Sequence, residues 1–450
     1  MRTRREQVAA HRFIVRRVIS AMLNGEPETL DLPMRRMALS AVVGIAIASL
    51  VFAGFGVVGM IWPGGAKSWQ ADGAVIVEEE TGARFVYWEG KLHPVLNYAS
   101  ALLITSSGDR TVHTVLQDSL ADTPRGAVLG IPDAPDTLPE PELFVASPWQ
   151  TCSAPNPNDP TEFESHVLIG DEPADGEELD KTRGLLLSHN KDTYLVVAGM
   201  KYLVPSQKSL PALGAGPEQV VEVDPVLLNA LDTGPDLKIK IPDEGEEGRS
   251  LDGEKYEIGT VFTNNDRHYV LLDDGLAAIG ELAAELIGTA QTAISTSAVG
   301  DNRTDTVVEP DGFPSRRPKV VSGLDAGKTA VCAEHGKKGT TVTAHSSVPK
   351  LLRDSTKSAP TGKTDEVGTA DHVGLPGGYG ALVRAQTTDG AKGGTVYLVT
   401  DQGWKFGLTS ETLAAFGYKK VDPKPMPSAL LALLPTGPDL SQSAALNTVR

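Results

Sequence analysis

The sequence predicts an α+β protein: a single N-terminal transmembrane helix, then an elongated extracytoplasmic domain of four small strand-turn-strand-helix repeats around a β-rich core, with quasi-two-fold duplication. Three observations carry that prediction. A 25-residue stretch, Ala38 to Trp62, holds no charged residue; the phrase LLNALDTGPDL (from Leu227) returns as LLALLPTGPDL (from Leu430); and the two cysteines, Cys152 and Cys332, fall one in each half.

Charge separates the chain before any fold does. Residues 1–37 carry eight Arg and no Lys against four acids, a balance of +4, so the net charge of −17 leaves −21 after Met37. The acidic bulk disfavours a nucleic-acid partner. In the arm, Val15, Val18, Ile19 and Met22 recur at helical spacing while Arg5, Arg12 and Arg16, with Arg17 beside them, line another side. That is a basic amphipathic helix, suited to anionic lipid or to an acidic cytosolic partner. The plain alternative is that its arginines only fix topology.

Ala38 to Trp62 is long enough to span a bilayer core of roughly 30 Å, which about 20 apolar residues cross. Arg35 and Arg36 precede it, while Glu78 to Glu80 lie beyond, so the positive-inside rule places residues 1–37 in the cytoplasm and the rest outside. A cleaved signal peptide would be shorter and earlier, and no Cys follows closely enough for lipidation. The span therefore reads as a membrane anchor bounded by Ala38 and Trp62 at the cytoplasmic (inner) membrane.

The repeated phrase belongs to a longer unit. TYLVVAGMKYLVPSQKSLPALG precedes its first copy and VYLVTDQGWKFGLTSETLAAFG its second, each with a Val-Asp-Pro after it. An apolar strand meets a Gly turn (Gly199, Gly403), then a second strand and a helix-spaced segment. Stretches from Phe85 and Tyr269 fit the same template, with Gly90 and Gly275 at the turn. The predicted organisation is repeat 1 over 75–135, core part a over 136–189, repeat 2 over 190–242, repeat 3 over 253–305, core part b over 306–393 and repeat 4 over 394–442. Gly234-Pro235 and Gly437-Pro438 read as turn punctuation closing the helical LLNAL and LLALL runs. Ile241 to Glu254 and Ser355 to His372 read as exposed linkers.

Cys152 and Cys332 lie on the exported side, where disulfides persist. One bond closing a loop of about 180 residues and two free thiols are both open from the residues alone.

Chemistry is sparse. GLDAGKT, Gly323 to Thr329, has three spacer residues where a phosphate-wrapping P-loop needs four, which leaves Lys328 and Thr329 as a weak nucleotide candidate. TGKT from Thr361 fails in the same way. The nine His show no metal-ligand spacing, so no metal or other cofactor is expected. No G-x-S-x-G elbow is present, and no catalytic residue is assigned.

These long stretches together resemble one family, EccB, a membrane component of actinobacterial type VII (ESX) secretion systems. REQVAAHRFIVRRVISAML running into DLPMRRMALSAVVGIAIA resembles the family's cytosolic opening and anchor, and PRGAVLGIPDAPDTLP (Pro124 to Pro139) its segment after the first repeat. The resemblance implies four repeats around a core with one disulfide, and a structural subunit of an inner-membrane complex that exports proteins. It implies partners of the EccC, EccD and EccE type and contacts between copies of the chain. Some family members are described as ATPases, but no intact Walker motif stands here to receive that activity. The alternatives are an extracytoplasmic ATP hydrolase and a peptidoglycan-binding anchor, the latter because the repeats are similar to wall-binding modules of a phage lysin, with Trp88 and Trp404 near the hairpin turns.

Overall fold

The structure is a computed structural model and describes residues 3–24, 33–61, 69–105, 112–173, 176–288, 290–336, 339–354, 357–358, 368–387 and 393–449. Trp62, Thr361 to Thr364 and most of the linker from Ser355 lie outside the described residues. The chain divides into two compact units, Met1–Ser68 with Val115–Asp122, and Trp69–Thr114 with Thr123–Arg450.

The first unit is helical. Helix α1 (Arg4–Asn24) is the arm, and α2 (Pro33–Ile61) starts five residues before the charge-free stretch, taking in Arg35 and Arg36. Within it Met37–Val57 has a mean hydropathy of 2.3 and none of it is buried. Its length of 21 residues corresponds to about 32 Å at 1.5 Å per residue, enough to cross a membrane.

The large unit opens with β1 (Ala74–Glu78), β2 (Arg84–Trp88), β3 (Lys91–Pro94), α3 (Tyr98–Thr105) and β4 (Val112–Val115); α4 (Gln117–Leu120) belongs to the first unit. The core begins with β5 (Trp149–Pro155), β6 (Phe163–Ile169) and β7 (Glu177–Glu178). The second small sheet follows as β8 (Arg183–His189), β9 (Asp192–Val197), β10 (Met200–Val204), β11 (Val220–Glu222), α5 (Pro225–Ala230) and β12 (Asp232–Thr233). A hairpin of β13 (Glu247–Leu251) and β14 (Glu254–Glu257) leads to β15 (Val261–Asn264), β16 (Arg267–Leu271), β17 (Leu276–Ile279), α6 (Glu281–Ile287), β18 (Gln291–Ala293) and α7 (Thr296–Asn302). The core resumes with β19 (Lys319–Val320), β20 (Ala330–Gly336), β21 (Gly339–His345), α8 (Lys350–Asp354), β22 (Lys357–Ser358) and β23 (His372–Gly374). The fourth sheet holds β24 (Gly380–Gln386), β25 (Val396–Thr400), β26 (Lys405–Leu408), α9 (Ser410–Ala415) and β27 (Lys424–Pro427), before α10 (Ser428–Ala432) and α11 (Gln442–Ala445).

One strand order recurs four times: β3-β2-β1-β4, β10-β9-β8-β11, β17-β16-β15-β18 and β26-β25-β24-β27. Each is a three-strand meander with a fourth strand returning beside the first. Tight turns such as Glu89-Gly90 and Ala198-Gly199, both residues at positive φ, have the twist that such hairpins need. The recurrence corrects two predicted boundaries. The second and fourth sheets begin at Arg183 and Gly380, inside the ranges assigned to the core, because the apolar runs Leu185 to Leu187 of β8 and Ala381 to Val383 of β24 are buried and read alone as core strands. In the second unit the helix after the hairpin is two 3-10 turns, Gln207–Ser209 and Pro211–Leu213; Pro205 and Pro211 withhold the amides an α-helix requires.

A unit of this size buries too little apolar surface to stand alone, and none does. The first packs on the fourth through Val86, Leu102, Ile104 and Leu398, Phe406, Phe416. The second packs on the third through Leu195, Tyr202, Leu213 and Val270, Leu282, Ala283. Between them lies a seven-stranded sheet, β22-β23-β6-β5-β20-β21-β7. It meets the fourth unit at Trp149, Val167, Val383 and Leu434, and the second at Val331, Val342, Leu185 and Leu227. Its middle is the antiparallel pair β5 and β20, one from each half, and each half lends a strand to the other's hairpin, β7 to β21 and β23 to β6.

Candidate functional site

Three places in the fold are candidates for work: the N-terminal helices, the joint between the halves, and the near-miss phosphate loop. On α1, Arg5, Arg12 and Arg16 fall within about 40° of one another at 100° per residue and flank the apolar side, with Arg17 further round. Val15, Val18, Ile19 and Met22 are all exposed, so that side is uncovered. Ala38 lies in the apolar part of α2.

The repeated phrase turns out to be a lock. Thr233 and Thr436 pair in parallel with Lys201 and Lys405 on the second hairpin strand. The next residue, Gly234 or Gly437, donates its amide at 2.9 Å to the carbonyl of that same lysine. A Cβ on either glycine would fall 2.2 Å from an aromatic carbon, of Tyr202 or of Phe406. Neither glycine has positive φ, which corrects their reading as turn punctuation: they are glycine so that a ring can lie on the backbone. The lysines turn back to the preceding helix. Lys201 Nζ donates to the Leu228 carbonyl, and Lys405 Nζ to the carbonyls of Leu431 (2.5 Å) and Leu434 (2.6 Å). Carbonyls at and just past the helix C-terminus thereby gain a charged donor. Burial lowers the pKa of Lys201 and brings that of Lys405 to about 8.

The phrase has a third copy, concealed by its composition. Gly126, in PRGAVL, donates at 2.9 Å to the Leu92 carbonyl and lies against the His93 ring. In the third unit the Thr304 amide donates the equivalent bond to the Leu276 carbonyl at 3.0 Å, without a glycine. The shared Val-Asp-Pro is less equivalent than it reads: Asp224 caps α5 through the Val226 amide, whereas Val421-Asp422-Pro423 leads into β27.

Cys152 and Cys332 are bonded and face each other across β5 and β20, at a sequence separation of 180. They belong to one cross-strand row running His372, His166, Cys152, Cys332, Thr343, Glu178. At its β23 end, His372 Nε2 lies 3.2 Å from Glu164 Oε2, and the rings of His166 and His372 stack with centroids 4.6 Å apart. Burial, then the neighbouring His372, lowers the His166 pKa to about 3, against the pull of Asp371. On the opposite face Asp371 accepts from both the Ser165 amide (2.9 Å) and its hydroxyl (2.7 Å). Sequence spacing missed this cluster because its members are some 200 residues apart; the alternate pair in Glu164-Ser165-His166, on one face of a strand, was its only local trace.

The Gly323 to Thr329 loop is built inward. Asp325 accepts from the Gly327 amide (3.0 Å) and pairs with Lys328 Nζ (2.8 Å), and its carbonyl takes the amides of Lys328 and Thr329. Thr329 is buried, its hydroxyl without a hydrogen-bond partner. Amides that would wrap a phosphate are thus turned onto the loop's own aspartate. Trp88 and Trp404 pack half-buried against the core shared by the first and fourth units.

Among the described residues, one long apolar helix able to cross a membrane, and a domain of four repeated units tied by glycine locks and a disulfide, define the class: a candidate single-span protein with a repeat-built α+β domain. Relatives agree on what kind. The family described as Type VII secretion system ESX-1, transport TM domain B matches residues 1–449, and the chain belongs to that family, EccB. It is 26% identical to the ESX-5 secretion system ATPase EccB5 of Mycobacterium marinum, over 98% of this chain and 92% of that one. It is 27% identical to the ESX-3 secretion system ATPase EccB3 of Mycolicibacterium smegmatis, over 98% and 90%. Among solved structures it is similar to a chain of an intact ESX-5 inner membrane complex (TM-score 0.67, 23% identity, 100% and 96% covered). It is similar also to the EccB3 dimer from the ESX-3 core complex (TM-score 0.63, 23% identity, 83% and 100% covered). At that identity the structures speak for the fold.

Proposed function

We propose that this chain is a structural subunit of the inner-membrane core complex of a type VII (ESX) secretion system. The observation that carries this reading is the family match over 1–449, to which the arginine-flanked crossing and the four-unit domain add physical sense. In it residues 1–37 face the cytoplasm and α1 docks an acidic partner or anionic lipid through Arg5, Arg12, Arg16 and Arg17. The domain from Trp69 stands outside. The partners are subunits of the EccC, EccD and EccE type together with further copies of this chain.

Gentle detergent extraction of the tagged full chain from its native membrane, followed by mass spectrometry of the large species, tests the proposal. Recovery with an FtsK-like ATPase and a polytopic channel protein supports it; a chain that emerges alone while other membrane complexes survive overturns it. The curated relatives are named ATPases, but the energy source in this reading is a partner. Lys328→Ala is accordingly expected to leave any nucleotide hydrolysis by the purified full chain unchanged.

A further inference from the structure

We propose that Glu164, His166 and His372 form a binding site for a zinc-class divalent metal ion, which fastens strand β23 of the second half onto the first half. Three facts converge. Glu164 and His166 are two residues apart on β6, and His372 is the direct partner of His166 on the parallel strand β23, so all three project from one face of the sheet. One ligand atom from each lies within 4.8 Å of the others. The carboxylate is already oriented: Asn156 Nδ2 donates to Glu164 Oε1 at 2.7 Å, while Oε2 is aimed at His372.

Two imidazoles and a carboxylate select the metal class. Calcium and magnesium take oxygen ligands, whereas zinc and its late first-row neighbours take this nitrogen and oxygen set. His166 is buried while His372 and Glu164 are partly exposed, so an ion reaches the site from solvent and keeps water at its remaining positions. The strand joint is short: β23 pairs with β6 over three residues, His372 to Gly374, while on the opposite face Asp371 accepts from Ser165 and Val373 is buried in one cluster with Val167. A metal here would join the halves a second time, one strand away from the disulfide. The inference rests on these side chains and stands whether or not the secretion reading does.

The test uses the untagged full chain in detergent, stripped with chelator and titrated with Zn2+ alone against a chromophoric competitor, with bound metal counted by elemental mass spectrometry. One Zn2+ per chain is expected. Asn156→Ala, which frees the carboxylate from its outer partner, should weaken binding by about 10- to 100-fold, and His372→Ala by at least as much. Co2+ should give the visible absorption of a low-symmetry nitrogen and oxygen site, and His372→Ala should lack it. Glu164→Gln preserves shape and volume, so a loss of binding there with an unchanged circular dichroism spectrum separates ligation from misfolding. Absence of stoichiometric Zn2+ from the native chain overturns the proposal, as does binding that His372→Ala and Glu164→Gln both leave intact.

Discussion

Lys405 offers a stability signature that a surface lysine could not. It is 8% exposed, its Nζ reaches two carbonyls at the end of α10, and burial brings its pKa from 10.5 to about 8. Below about pH 8 the ammonium is charged in folded and unfolded chain alike, and the burial penalty is fully present. Between about 8 and 10.5 the folded chain releases the proton while the unfolded chain keeps it, so the unfolded state binds more protons and stability rises with pH. Above 10.5 this penalty is gone. At about 1.4 kcal/mol per pH unit that gap amounts to roughly 3 kcal/mol. Lys405→Met keeps the length and removes the charge. Its lost hydrogen bonds shift stability by a constant, whereas its pH slope lacks the lysine's contribution. Guanidinium unfolding of both full chains in detergent, from about pH 7 to about pH 10.5, reads the difference. The native chain should gain roughly 3 kcal/mol on the variant across that range. Parallel curves would refute the reasoning, since they would mean that Lys405 titrates alike in both states.

Gly437→Ala should destabilise by about 1–3 kcal/mol through overpacking, because its Cβ meets the Phe406 ring at 2.2 Å and Phe406 is 1% exposed. Adding Phe406→Leu should return part of that loss in a double-mutant cycle, whereas strict additivity would show that the ring is not the obstacle. Breaking the Cys152–Cys332 bond by paired alanines should lower the guanidinium midpoint: closure of a loop of 180 residues contributes up to about 5 kcal/mol in the chain-entropy picture. An unchanged midpoint would place the strength of the joint in β-pairing alone.

Much of the fold was legible because the units repeat. Charge-free Ala38 to Trp62 announced an apolar helix long enough to cross a membrane, and the Gly turns at Gly90, Gly199, Gly275 and Gly403 marked four hairpins, each glycine at positive φ. The repeated phrase revealed the duplication yet concealed its cause. Gly234 and Gly437 look like turn glycines, and only the placement of Tyr202 and Phe406 shows that a ring takes the space. Its copy at Gly126 was hidden because the ring there is a histidine and the flanking residues differ. The His166, His372 and Glu164 cluster was beyond reach for a different reason: parallel pairing of β6 with β23 joins segments that no local pattern relates.

The pairing of the first unit with the fourth has a temporal consequence. Gln442 Nε2 donates to the Ile104 carbonyl, Val449 to Val128, and the Tyr418 hydroxyl to Pro139. Made N-terminus first, the earliest unit must hold α3 without its cover until some three hundred further residues have followed. Completion is therefore withheld until nearly the whole domain has been made, and a chain cut short near Leu440 strands apolar surface on the unit made first. In the proposed topology, quality control outside the membrane would thus read the last stretch of sequence as exposed greasiness on the first.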